Sequence, residues 1–194
     1  MEDIAIVGTG GLGRELCSII ENINEHKRRW NILGFYDDNE IILNVNGYPL
    51  LGKISDLNDY PKPINIIVAI GKPSIKKDII LRITNININY PVIIHPSAQV
   101  LPKNTVHIGK GVVLSANVVL TTNIVIEPYV YINTSTVISH DTFVGAYSIV
   151  MPCVSISAKT SIGVCYYIGN GVIIDQPKQL AENSIILAGS ILSY

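Results

Sequence analysis

The chain has 194 residues, enough for one large or two small domains. Its 14 basic and 15 acidic residues leave a net charge of −1, so no electrostatic attraction to nucleic acid or to a membrane surface is expected. Although 48% of the residues are hydrophobic, no apolar run is long enough to span a bilayer, which points instead to a densely filled interior.

The start, Met1-Glu2-Asp3, is acidic and runs straight into a strand, which argues against a secretory signal and for a cytoplasmic protein. Residues 3–8 read as a buried strand, followed by Gly8-Thr9-Gly10-Gly11-Leu12-Gly13-Arg14-Glu15 and a helical pattern to about Asn24. A second strand covers Ile32 to Tyr36 and ends at Asp37-Asp38, and a third element lies near Tyr48 to Gly52. Ile64 to Ile70 is a nearly all-apolar strand that closes with Gly71, residues 74–84 read as a helix, and Tyr90 to Ile94 reads as a last short strand. Strands alternating with helices predict a parallel sheet, here about half the size of a full dinucleotide-binding fold. We therefore expect an α/β Rossmann-like half domain over residues 1–95.

Gly8, Gly10 and Gly13 satisfy G-x-G-x-x-G between a strand and a helix. That pattern sets bare backbone N–H groups at a helix N-terminus, where a phosphate is welcome. Asp37 stands about two dozen residues further on, where an acid can hydrogen-bond a ribose or base. A tight strand-to-helix turn with no ligand, and a plain solvated turn at Asp37-Asp38, are the simpler readings of the same residues.

From Ile108 onward every sixth residue is Ile, Leu or Val, through fifteen consecutive positions to Leu192. The residue two places earlier is usually small or β-branched, as at Val112, Thr136 and Ser148, and is expected to ease a tight corner. Neither a 3.6-residue nor a 2-residue period holds positions six apart at one depth over such a length. A three-sided coil of eighteen residues does, so residues 96–194 are expected to form a parallel β-helix. Ile108, Ile126, Val144, Ile162 and Leu180 should then stack as one interior column, and Ile132, Val150, Ile168 and Ile186 as a second.

Of the four histidines, His26 falls in a charged stretch and His95 precedes Pro96, where a structural hydrogen bond is expected. His107 has no acidic neighbour. His140 is followed by Asp141 on the outer part of a hexad, where a carboxylate can fix the tautomer that a general base needs. Adjacent strand residues face apart, however, so contact between the two is not expected from strand geometry. A surface histidine is the simpler reading. Cys17, Cys153 and Cys165 share no metal-binding spacing and read as small buried apolar side chains, and no metal is expected. A zinc site on the same prism would need three converging imidazoles, and the separation of His107 from His140 is not a multiple of eighteen.

The hexapeptide solenoid behind a small nucleotide-binding domain resembles the sugar O- and N-acyltransferases of the sialic acid O-acetyltransferase and UDP-4-amino-sugar (bacillosamine-pathway) N-acetyltransferase type. The resemblance is carried by Ile6-Val7-Gly8-Thr9-Gly10-Gly11-Leu12-Gly13-Arg14-Glu15, Gly34-Phe35-Tyr36-Asp37-Asp38, Val68-Ala69-Ile70-Gly71, Ile94-His95-Pro96-Ser97-Ala98, Ile132-Asn133-Thr134 and Val137-Ile138-Ser139-His140-Asp141. It implies a left-handed β-helix, a homotrimer, acetyl-CoA as co-substrate in a groove between prisms, and a nucleotide-linked amino sugar as acceptor. It further implies His140 as catalytic base, supported by Asp141 and Asn133. Substrate contacts would come from Gly8, Gly10, Gly11, Gly13, Arg14, Asp37, Asp38 and Gly71, and Gly145, Ala158 and Gly163 would line the acetyl-CoA groove. Departures from the family pattern are Leu12, where many relatives carry His, Ser139, where some carry a carboxylate, and Tyr166-Tyr167 near a corner. O-acetylation of a sialic-acid-type sugar is the alternative enzymatic reading, and a trimeric nucleotide-binding scaffold is the non-enzymatic one.

Overall fold

The computed structural model describes residues 1–39, 41, 43–175 and 177–193, and the backbone alone at residue 103. It divides into two compact units, Met1–Gly71 with Ile75–Pro91 and Lys72–Ser74 with Val92–Tyr194. The first holds β1 (Glu2–Val7), α1 (Gly11–His26), β2 (Trp30–Tyr36), β3 (Asn44–Val45), β4 (Tyr48–Gly52), β5 (Ile64–Val68), α2 (Pro73–Arg82) and β6 (Ile88–Asn89). These strands form one sheet in the order β3-β4-β2-β1-β5-β6.

The central strands are parallel and apolar on both faces, as expected for a sheet covered by helices. Ile4, Ala5, Ile6, Val7, Leu16, Ile20, Phe35 and Ile66 have no exposed surface. From β1 the chain goes through α1 to β2 on one side, whereas from β5 it goes through α2 to β6 on the other. The order therefore reverses between β1 and β5, and open α/β sheets bind ligands beyond the carboxyl ends of the strands at such a point. The Gly8–Gly13 turn lies there.

The edge of this sheet departs from the all-parallel expectation. β3 and β4 form an antiparallel hairpin closed by Asn46 and Gly47, both at positive φ. An Asn-Gly pair suits the turn whose twist matches such strands.

In the second unit, strands of two or three residues stack in three parallel sheets of six, six and five strands. The prism is a left-handed β-helix. Ile126 pairs with Ile108, Val144 with Ile126, Ile162 with Val144 and Leu180 with Ile162, each eighteen residues on. Ile132, Val150, Ile168 and Ile186 form the second expected column. Leu120, Ile138, Ile156, Ile174 and Leu192 complete a third.

Most of the described corners turn on one residue in the left-handed region, including Asn117, Asn123, Tyr129, Ser135, Asp141, Tyr147, Cys153, Lys159 and Cys165. The residue that follows each of these, small or β-branched except for Tyr166, points inward rather than making the bend. Thr136, Thr142, Ser148 and Thr160 are all buried. Three of their hydroxyls donate to carbonyls of the next coil, Thr136 to Met151 at 3.1 Å, Ser148 to Gly163 at 3.0 Å and Thr142 to Ser157 at 3.5 Å. Cys153, at an exposed corner, departs from the buried-thiol expectation, whereas Cys17 and Cys165 are buried.

Ile93–Ile94 belongs to the prism rather than to the α/β sheet. It pairs with Val113–Leu114, and Gln99–Val100 pairs with Val119–Leu120, both twenty residues on. This first coil carries two extra residues between Val100 and Ile108, including a 3-10 turn at Lys103–Thr105, which is why the six-residue period becomes visible only at Ile108.

Candidate functional site

In the α/β unit the glycine turn is built by close backbone approach. Gly8 has φ +109, and a Cβ there would meet the Ala69 carbonyl oxygen at 2.9 Å. A Cβ on Gly13 would collide with the Gly8 carbonyl oxygen. Both positions thus require glycine for packing. Gly10 and Gly71 have nothing within 4 Å of an added Cβ, and Gly11 has only the Arg14 side chain at 3.9 Å, so these three border open space. Gly10 is the N-cap of α1 and provides no side-chain cap, which suits a helix start that receives an outside anion.

Asp37 is committed to holding this turn. Its Oδ2 accepts from the Thr9 N–H and the Thr9 hydroxyl, both at 2.7 Å, and its Oδ1 accepts from the Asn39 N–H at 2.9 Å. Partial burial alone would raise its pKa, but the hydrogen bonds from Asn39 and Thr9 outweigh that and hold it below the ordinary carboxylate value. Asp38 accepts from the Ile54 N–H at 3.1 Å. Neither acid is a plain solvated turn residue. Arg14 donates to the Thr9 carbonyl at 3.4 Å, so the guanidinium also lies against the turn. Asp38 further lines a cavity of about 410 Å³ with Ile54, Ser55, Asn58, Arg82 and Ile83.

On the prism, His140 and Asp141 are joined. His140 Nδ1 lies 2.8 Å from Asp141 Oδ2, and both side chains are about half exposed. The contact overturns the strand-alternation argument because Asp141 is not in a strand. Its φ of +58 swings the carboxylate back toward the preceding side chain. Asp141 Oδ1 accepts from Asn123 Nδ2 at 3.1 Å, from the coil below. The hydrogen bonds from His140 and Asn123, in that order, hold the Asp141 carboxyl below its ordinary pKa, and the Lys159 charge adds to the effect. An ionised carboxylate can only accept, so Nδ1 carries the proton and the neutral ring keeps its lone pair on Nε2. Asn123 had gone unnoticed in the sequence, although the eighteen-residue period puts it under Asp141.

The remaining prism residues of interest are dispersed. His140, Asp141 and Ala158 lie on the edge between the second and third sheets, with Ala158 one coil above His140. Asn133 is on the edge between the first and second sheets, 4% exposed, with its Oδ1 accepting from the Thr134 N–H. Gly145 and Gly163 are on the edge between the third and first sheets. A Cβ on Gly145 would strike Gly163, and one on Gly163 would strike Glu182, so coil stacking alone accounts for both glycines. One prism thus carries the expected residues on three separate edges. Among the described residues, no group of three or more His, Cys, Asp or Glu side chains could hold a metal ion.

His95 makes the local hydrogen bonds expected of it. Its Nδ1 is 2.8 Å from Ser97 Oγ. His26 contacts the Asn22 carbonyl at an exposed helix end.

Among solved structures, the acetyltransferase domain of PglB from Neisseria gonorrhoeae is similar over the whole chain. It shares 28% identity with a TM-score of 0.89, and 92% of that chain is covered. The same domain in complex with acetyl coenzyme A matches at 29% identity and a TM-score of 0.86, over 97% of this chain and 89% of that one. A mutant GDP-perosamine N-acetyl transferase from Caulobacter crescentus, in complex with CoA and GDP-perosamine, shares the fold at 22% identity and a TM-score of 0.83, covering all of this chain and 89% of its own. The two units together define an acyltransferase of the left-handed β-helix class. More narrowly, residues 3–83 match the PglD N-terminal domain family, and the whole chain is similar to an acetyltransferase domain of known structure.

Proposed function

We propose that the protein transfers the acetyl group of acetyl-CoA to the amino group of a UDP-linked amino sugar, with His140 as general base. The observation that carries this reading is the 2.8 Å pairing of His140 Nδ1 with Asp141 on an exposed prism edge. Asp141 holds the ring in the tautomer whose Nε2 is basic and steadies the imidazolium that forms. Nε2 accepts a proton from the amine as its nitrogen bonds to the thioester carbonyl carbon. The carbon–sulfur bond then breaks, and the imidazolium returns its proton to the departing thiolate. His140 is exposed enough to reach an incoming substrate without rearrangement.

Nucleotide recognition is assigned to the crevice at the strand-order reversal. There the open positions Gly10, Gly11 and Gly71, with Arg14, would face a diphosphate, while Gly8, Gly13 and Asp37 hold the turn in shape. Asp38, at the mouth of the neighbouring cavity, is the acid left to meet a base or ribose. Acetyl-CoA would supply the activated acyl carbon. Ala158 suits its passage because a small side chain stands directly above His140. The dispersal of Asn133, His140 and Gly145 over three edges is the reason to expect a homotrimer, in which edges of neighbouring copies meet.

His140→Ala should lower kcat at least ~100-fold while leaving the fold and the acetyl-CoA-dependent rise in melting temperature in place. Thiol release from acetyl-CoA, measured over a panel of UDP- and GDP-linked amino sugars, checks both the base and the acceptor. Near-normal turnover in the variant would remove His140 from the reaction.

A further inference from the structure

The left-handed corner that carries Asp141 recurs one coil below at Asn123 and one coil above at Lys159. The three residues therefore form a ladder along one prism edge, and the middle rung is the carboxylate that contacts His140. Each oxygen of that carboxylate has a different partner. Oδ2 takes the imidazole Nδ1 at 2.8 Å, and Oδ1 takes Asn123 Nδ2 at 3.1 Å. A half-exposed Asp side chain bonded only to the ring could turn about its own Cβ–Cγ axis and swing away. A second bond at the opposite oxygen removes that freedom. We propose that Asn123 is a positioning residue: by pinning Asp141 from the coil below, it fixes the carboxylate plane and so holds His140 in the Nδ1–H tautomer. The inference rests on the assignment of His140 as base, but its structural content is separate from turnover.

The corner geometry explains why an amide suits this position. Asn123 has φ +54, a conformation that asparagine tolerates better than most residues. Its side chain can donate to the carboxylate without adding charge next to the base. Besides its two hydrogen bonds, the Asp141 carboxylate feels the charge of the Lys159 ammonium. Lys159 also ties its own backbone N–H to the His140 carbonyl at 2.9 Å, which anchors the upper coil to the ring's residue.

The test uses the full chain, labelled with 15N, and reads the His140 ring nitrogens by NMR above the pH of imidazole titration. The wild type should show protonated Nδ1 and bare Nε2. Asn123→Gly keeps the left-handed corner and deletes the donor, and it should show both tautomers in exchange. Its kcat should fall on the order of tenfold with KM unchanged. Asn123→Asp keeps the size but sets a second carboxylate beside the first. It should raise the pH at which the imidazole loses its proton and move the acidic limb of the pH–rate profile upward. A single Nδ1–H tautomer in Asn123→Gly, or a wild-type profile in Asn123→Asp, would overturn the proposal. If His140→Gln stays active while the tautomer still changes in Asn123→Gly, the base assignment fails and the positioning role stands.

Discussion

Lys76 is 3% exposed and has no acidic partner among the described residues, so burial pushes its ammonium down from 10.5 to about 7. The folded state therefore prefers the neutral amine, whereas the unfolded chain keeps its proton up to 10.5. Between these values the unfolded state binds more protons, and stability from this group rises with pH. Below about pH 7 the full cost of burying the charge is present, with an upper bound on the order of 5 kcal/mol. Lys76→Met should therefore be more stable than the wild type at pH 6, with the gap closing as pH approaches 10.5. Urea unfolding at several pH values measures it, and a gap independent of pH would refute the buried-charge account. Asp37 behaves in the opposite sense, since its folded-state carboxyl lies below the ordinary range. Its contribution is complete above the unfolded value and is lost as pH falls through the folded one.

Among the elements, the β1–α1 turn has the least room to vary. Gly13 meets the Gly8 carbonyl where a Cβ would stand, and that obstacle is backbone, which cannot rotate aside. Gly13→Ala should cost about 1–3 kcal/mol of stability, seen as a lower urea midpoint, and, on the proposed function, should raise the KM for a nucleotide sugar by shifting the turn. An unchanged midpoint would mean that the helix can move away from the strand end. This turn was legible in the sequence because glycine spacing reports close backbone approach directly. The role of Asp37 was less so, because an acid at a strand end reads alike whether it meets a ribose or the Thr9 N–H. The Asn46-Gly47 hairpin carries a plain local signature, yet the strands it joins include one of only two residues, too short for a period to register. The His140–Asp141 contact was hidden for another reason. It depends on the backbone sign at one corner, and the corner residues include Asn, Tyr, Ser, Asp, Cys and Lys, which share no composition.

For the whole molecule, the interior of the prism was almost fully readable, since fifteen aliphatic positions at one spacing leave few alternatives. Its outer faces carry a weaker signal. On the second sheet, the outward residues Val137, Ile173 and Ile191 are exposed, giving that face an apolar stripe that Ser155 interrupts between Val137 and Ile173. We expect the stripe to meet a neighbouring copy in the proposed trimer. Ile173→Lys places a charge there without touching the core. It should shift the light-scattering mass from three chains to one and abolish acetyl transfer while the unfolding transition of the single chain persists. A wild-type mass of one chain would remove the shared-edge site altogether.

The eighteen-residue register has one more consequence. Removing a whole coil would shorten the solid without altering what faces where. Removing six residues below His140 would be just as harmless to the interior, since Ile, Leu and Val replace one another at every step. Yet it would turn everything above the cut by a third of a revolution and carry the imidazole to a different edge. The aliphatic beat sets how tall the prism is, and the angular phase of a few corner residues decides which edge carries the candidate base.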